Sequence, residues 1–411
     1  MTHELQVAIV DHLAPTGRTA IVNLPTTEDE LTAVLNEADI PGTDCCKITQ
    51  CTVPVDYLQD ALNDAIVYED DADVLTRLNF LAGRLSRMSD YERSLFEGAV
   101  KMRTESPSTT DLINDTYNLD QSYILAGIET LSELGNYYLK NGDPPIPKEL
   151  AEYIDTASLG KRTDSIMGGA FVDGGYAISA LHEDDYIELY DTDDMPDICE
   201  ESHPVYFRMT ISLASEYSRY GDSAPTFVLK VPETGYSDSI EKFVFHKFKA
   251  SSFDEFVVVQ CECYEPLLSS LPATGTLSEV YSLSFDLYDA YMHGGQDPDR
   301  IFAAIEAVGW DKPTLSDVRN IYNSNINNLN YHMNIKTPEQ YAEWYIDKRY
   351  QSCDKQMLAS TIDMRRYGSD LLASTNAYLT SYGLIIDPNN ELKYIQTESA
   401  DISEGVGGQS M

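Results

Sequence analysis

The chain repeats itself, and that repeat limits the possible folds more than any other feature of the sequence. Ala20–Thr27 reads AIVNLPTT and Phe227–Thr234 reads FVLKVPET, which sets Pro25 over Pro232 and Thr27 over Thr234 at an offset of 207. TRLNF (Thr76–Phe80) lies over YSLSF (Tyr281–Phe285), and Tyr117-Asn118 over Tyr322-Asn323, both at 205. GNYY (Gly135–Tyr138) lies over AEWY (Ala342–Tyr345) at 207. Tyr153–Ile178 then covers Thr361–Ile386 without a gap at 208, aligning Gly160 with Gly368 and Gly175 with Gly383. Collinear matches at a nearly constant offset predict two tandem copies of one module. The expected layout is a first copy over 1–181, an acidic linker over 182–203, a diverged second copy over 204–388 and a flexible tail over 389–411.

Local signals assign the elements. AIVNL alternates and is rich in β-formers, so it reads as a strand. Thr27-Glu28-Asp29-Glu30 follows as a capping box, in which the Thr hydroxyl accepts at the helix start and the Glu reaches back. Leu31, Val34, Leu35 and Ala38 then recur on one helical face, and Pro41-Gly42 ends it. Cys45–Val53 and FVVVQCEC (Phe256–Cys263) read as corresponding strands. Leu75, Leu78, Leu81, Ala82 and Leu85 form a helical stripe. Ser89 with Glu92 caps the next helix, whose apolar face is Leu95, Phe96, Ala99 and Val100. Thr130 with Glu133, and Thr337 with Gln340, cap corresponding helices in the two copies, with Pro338 at a first-turn position that needs no N–H. Each copy is expected to run strand, helix, strand, several helices and a short β-rich end, an α+β fold.

Charge sets the class of partner. The chain carries 68 Asp and Glu against 28 Lys and Arg, a net of −40. A field of that sign repels nucleic acid and acidic membranes and draws basic surfaces, so neither DNA nor a membrane is expected as a direct partner. At DNA's density of one charge per 1.7 Å of axis, forty charges span about 68 Å, or about 20 base pairs. The first 200 residues hold most of the excess, −27 against −13 for the rest. Two clusters stand out. Asp64, Glu69, Asp70, Asp71 and Asp73 precede a helix. The stretch from His182 to Glu201 holds ten acids and no base, among them Glu183, Asp184, Asp185, Glu188, Asp191, Asp193, Asp194 and Asp197. Acids in a first helical turn and a solvated linker are the plain alternatives for each.

A search for reactive chemistry finds no H-E-x-x-H, G-x-S-x-G or Walker A pattern. The groups Cys45-Cys46-x4-Cys51 and Cys261-x-Cys263 lack zinc-finger spacing and sit in strand-like runs, where Cys usually packs as a small hydrophobe. Asp191-Thr192-Asp193-Asp194 begins like a calcium loop and then lacks the required glycine. No cofactor, metal or catalytic residue is therefore expected. With no basic-then-apolar leader and no run of 18 apolar residues, the expected location is a cytoplasm, with reduced thiols.

From RLNFLAGRLSRM (Arg77–Met88) and SDYERSLFEGAV (Ser89–Val100) onward the chain resembles a known family. TDLINDTYNLDQ (Thr110–Gln121), ELGNYYL (Glu133–Leu139), EYIDTASLGKR (Glu152–Arg162) and GGAFVDGGYAI (Gly168–Ile178) follow in order, and NLPTTEDELTAVL (Asn23–Leu35) precedes them. This set is similar to the ArdA-type antirestriction proteins of plasmids, conjugative elements and phages. The resemblance covers about residues 18–180. It is faint in the second copy, where NIYNSN (Asn320–Asn325) replaces NDTYNLD. It implies elongated acidic modules whose carboxylates imitate the phosphates of bent DNA and occupy the DNA groove of type I restriction–modification enzymes in the bacterial host's cytoplasm. It also implies a homodimer, or here a pseudo-dimer within one chain. The expectation is thus a non-enzymatic DNA mimic directed at a DNA-binding defence enzyme. The alternatives are an acidic interaction scaffold, a salt-adapted protein and a carboxylate–metal hydrolase.

Overall fold

The computed structural model describes residues 4–11, 13, 17–68, 73–142, 145–146, 148–151, 153–180, 186, 188, 204–233, 237–292, 298–324, 328–350, 362–393 and 395. The fold is α+β, many helices with small three-stranded sheets. The chain forms two compact units. One comprises Met1–His203 with Thr210–Glu255, the other Pro204–Met209 with Phe256–Met411.

The first unit opens with β1 (Leu5–Asp11), β2 (Thr19–Leu24) and β3 (Cys46–Thr52), an antiparallel sheet of order β2-β1-β3. The first strand expected from the sequence was Ala20–Leu24, and β1 was not anticipated, although it is the middle strand and pairs Leu5 with Leu24 and Gln6 with Thr52. Leu5, Val7 and Ile9 are buried while Gln6 is exposed, the one-sided alternation of a sheet that covers a core on one face only. Leu24-Pro25 is cis, and α1 (Glu28–Glu37) follows with both halves of its Thr27/Glu30 capping box formed.

Helices α2 (Asp56–Tyr68), α3 (Val74–Arg87), α4 (Asp90–Met102) and α5 (Thr109–Asp115) make the centre of the unit. The expected stripe on α3 is buried, and the Ser89/Glu92 capping box starts α4. Then come β4 (Ser122–Ala126), α6 (Leu131–Asn141), α7 (Lys148–Ala151), α8 (Thr156–Met167), β5 (Ala170–Val172) and β6 (Gly175–Ser179), with sheet order β4-β6-β5. Gly160 of α8 meets the start of α6 so closely that a Cβ there would lie 1.7 Å from the Leu131 carbonyl oxygen.

The unit is completed by β7 (Phe207–Leu213), α9 (Ala214–Tyr220), β8 (Phe227–Val231) and α10 (Ser237–Phe248), of which Thr210 onward belongs here. Val231-Pro232 is cis. Phe243 of α10 is fully buried, edge-on to Tyr91 of α4 with ring centroids 5.4 Å apart, and α10 packs along β4.

The second unit contains β9 (Phe256–Cys263), α11 (Leu271–Thr274), α12 (Leu277–Met292), α13 (Pro298–Val308) and α14 (Leu315–Asn323). It continues through β10 (Asn330–His332), α15 (Pro338–Arg349), α16 (Met364–Ser374), β11 (Ala377–Leu379) and β12 (Leu384–Ile386), with sheet order β10-β12-β11. β9 spans the FVVVQCEC run, and Thr337/Gln340 caps α15 with Pro338 at its start. Ile301, Phe302, Ala304 and Ile305 of α13 are buried among Val280, Leu283 and Leu287 of α12 and Val318 and Ile321 of α14, one apolar face meeting two others. Gly368 of α16 approaches the start of α15 as Gly160 approaches α6, and its Cβ would lie 1.8 Å from the Pro338 carbonyl oxygen. Among the described residues no helix is long and apolar enough to cross a membrane.

Candidate functional site on the first unit

Helix α2 presents the clearest carboxylate array. Leu58, Leu62 and Ala65 are buried at the spacing of one helical face. Asp56, Asp60 and Asp64 repeat every four residues on the opposite face and are exposed. Two hydrogen bonds fix the helix start to β3: Gln59 donates to the Cys51 carbonyl at 2.5 Å and accepts from the Val53 N–H at 3.1 Å. Asp64 accepts from the Ser106 hydroxyl at 3.0 Å, while Asp56 and Asp60 make no hydrogen bond or ion pair with another described residue.

The first predicted cluster is thus placed in part. Asp64 lies on α2, and Asp73 is exposed immediately before α3, where its side chain makes no capping bond. Glu69, Asp70 and Asp71 lie outside the described residues. Of the second cluster, Glu188 is described and exposed; Glu183, Asp184, Asp185, Asp191, Asp193, Asp194 and Asp197 lie outside. Asp56 and Asp60 were missed. The spacing Asp56-x3-Asp60-x3-Asp64 was visible in the sequence, but only once α2 is read as a helix does it become a stripe.

Other exposed carboxylates are occupied by the fold. Glu30 closes the α1 capping box. Glu133 accepts from the Glu129 N–H and the Thr130 hydroxyl, which hold its carboxyl below the usual range. Asp155 caps α8, and its bonds to the Ser158 hydroxyl and Ala157 N–H lower it likewise.

Several of the cations are turned inward. Arg77 donates to the Thr109 hydroxyl at 2.8 Å, and Arg84 to the Thr116 hydroxyl at 3.3 Å, with its guanidinium 4.0 Å from the Tyr117 ring centre. Arg103 forms a fork with Asp115 at 2.8 and 2.7 Å, and Arg93 another with Glu4. Lys230 of β8 is 3% exposed and sits 2.9 Å from Glu92 at the head of α4. Beside them Glu233 accepts from the Ser89 hydroxyl at 2.8 Å and the Lys230 N–H at 3.1 Å. Burial, with Glu92 alongside, holds the Glu233 carboxyl well above the usual range.

The stretch DLINDTYNLD (Asp111–Asp120) is part of this scaffold. Asn114, Asp115, Thr116 and Asn118 are buried, and Asn118 donates to the Asn114 carbonyl at 2.9 Å. Next to it lies a cleft of about 410 Å³ lined by Met102, Arg103, Asp111, Asp115, Asn118 and Tyr186. Tyr186 donates to Asp115 at 3.1 Å, and burial beside that carboxylate raises its hydroxyl. Glu188, two residues further on, is exposed.

Among the described residues no three His, Cys, Asp or Glu side chains are grouped to hold a metal. Cys51 is buried, as expected of a thiol in a strand, and burial pushes it up to about 12. Cys261 departs from that expectation: it lies on the exposed face of β9. The arrangement is suited to holding a cationic surface by charge. Set against known proteins, the chain matches no family model and no curated protein sequence.

Proposed function

We propose that this protein is a DNA mimic that inhibits a DNA-binding defence enzyme of a bacterial host by occupying its DNA groove, with a type I restriction–modification enzyme the first target to test. The observation that carries the reading is the Asp56, Asp60 and Asp64 stripe, held on a helix pinned at its start and packed along its other face. At 1.5 Å per residue its charges recur about every 6 Å of helix axis. One DNA strand carries a charge per 3.4 Å, so the stripe supplies about half the density of a single strand. Asp73 and Glu188 are further exposed carboxylates of the same unit. The resemblance of residues 18–180 to ArdA-type proteins points the same way.

The chain is read as a tandem duplication, acting in the host cytoplasm without catalysis. Two features support the duplication: the paired close approaches at Gly160 and Gly368, and the paired caps at Thr130 and Thr337. Either two copies within one chain or a homodimer then furnishes the extended acidic surface.

The test is cleavage by a purified type I enzyme, with competing DNA and salt varied. Inhibition relieved by excess DNA and weakened by salt is expected, since exposed charge pairs are screened over about 10 Å at 0.1 M. Replacing all three stripe residues by Asn should weaken inhibition about tenfold or more while leaving the melting temperature in place. Inhibition undiminished at high salt would rule out electrostatic mimicry.

A further inference from the structure

The second unit contains a cleft of the opposite character, independent of the acidic surface. It has a volume of about 710 Å³ and opens beside α15, α16 and β12. Tyr341, Trp344, Tyr345 and Lys348 recur at i, i+3, i+4 and i+7, so one face of α15 lines it, and Arg349 and Tyr350 complete the rim. Tyr341 is buried and anchored by a 2.9 Å hydrogen bond between its hydroxyl and that of Thr375. Trp344 and Tyr345 are half-buried, while Lys348, Arg349 and Tyr350 are exposed. His332 packs against the indole with ring centroids 4.4 Å apart, and the Lys348 ammonium lies 4.8 Å from the indole centre.

Two observations separate this cleft from an ordinary helix end. Cations are favoured in a last helical turn, which accounts for Lys348 and Arg349 being there. It does not account for their adjoining four aromatic rings in a cleft whose described lining holds no carboxylate, in a chain with 68 of them. The corresponding helix of the first copy, α6, has Tyr137 and Tyr138 where α15 has Trp344 and Tyr345, but Asn141 and Gly142 where α15 has Lys348 and Arg349. The aromatic pair is shared and the cations belong to the second copy alone.

We propose that this cleft binds a nucleoside phosphate. The volume falls within the ordinary range of small-molecule sites, about 300–1,000 Å³. Rings at the side offer stacking faces that accept any base, and the two cations at the rim offer charge-assisted bonds to phosphate, Arg349 as a fork and Lys348 as a point charge. Net charge selects the size of the ligand. A polynucleotide would meet the repulsion of a chain at −40, whereas a mononucleotide carries few charges and pairs them with the two cations. Lys348 leaves the indole face for the phosphate when a base stacks there.

The chain has two Trp, Trp310 and Trp344, so a Trp310→Phe chain reports on the cleft alone. Titrating it with AMP should quench Trp344 emission. The added pair Lys348→Ser and Arg349→Ser, both at exposed positions, should lower the affinity about tenfold or more. Adenosine should bind about as weakly as AMP binds that variant, and inorganic phosphate should compete poorly. Calorimetry on the natural chain with AMP repeats the measurement without the Trp310 change. No quench and no heat at millimolar AMP would overturn the proposal. So would equal affinity in the Ser variant, because the phosphate would then not be held by these cations.

Discussion

Replacing Lys230 by Met tests how β8 is held against α4 within the first unit. Lys230 is 3% exposed, and its ammonium lies 2.9 and 3.1 Å from the two Glu92 oxygens. Glu92 is itself 6% exposed, and Glu233 is 1% exposed beside it. Removing the cation leaves buried carboxyl groups without a counter-charge. Breaking a buried pair from one side costs about 3–5 kcal/mol, a large part of the roughly 5–15 kcal/mol by which a domain is stable. With a urea slope of about 2–3 kcal/mol/M, the midpoint should fall by about 1–2.5 M. Urea unfolding followed by far-ultraviolet circular dichroism measures it. Adding Glu92→Gln should restore at least half the loss, because Gln still closes the capping box on Ser89 and carries no charge. A loss below about 1 kcal/mol in the single variant, or no recovery in the double, would refute the view that the charge pair and not side-chain volume holds this contact.

Glu233→Gln probes the same cluster through pH. The folded carboxyl is raised by burial, so the folded state holds a proton that the unfolded state releases near pH 4.3. Its contribution is intact below that pH and is lost as pH rises toward the folded value. The Gln variant should therefore gain on the natural chain between pH 4.5 and 7.5, read from urea midpoints. Gly160→Ala and Gly368→Ala should each lower stability by about 1–3 kcal/mol or more, since the new methyl meets a backbone carbonyl; a thermal melt decides it. Cys46, pushed up to about 11 by burial beside Cys45, and Cys51, pushed up to about 12, should resist iodoacetamide at pH 7.5 and react once urea unfolds the chain. Mass spectrometry of the alkylated sites reads this directly.

Caps and apolar stripes were legible in the sequence because they are local. The Thr27/Glu30 and Ser89/Glu92 boxes need residues three apart, and both form as read. The FVVVQCEC strand was equally local. What the sequence hid depends on long-range partners. β1 was missed although it is the middle strand, because its pairing with β2 and β3 is fixed only in the sheet. Arg77 and Arg84 look like surface residues beside a leucine stripe, and they are buried because Thr109 and Thr116, each 32 residues away, receive them. The α2 stripe is hard to see for a simpler reason: its three acids are spread over nine residues and lack the density of the run at 69–71, whereas regular spacing on a helix is what orders charge.

The Lys230–Glu92 contact also has a consequence in time. Its partners are 138 residues apart, and the first unit includes residues up to Glu255. At about 5–20 residues per second, a ribosome needs about 7–28 s to pass from one to the other. Until then the nascent α4 keeps a solvated Glu92 and an uncovered Tyr91. The first unit therefore stays unfinished until the segment Thr210–Glu255 has been made, and a gene fragment ending at residue 203 would yield a chain held at that waiting stage.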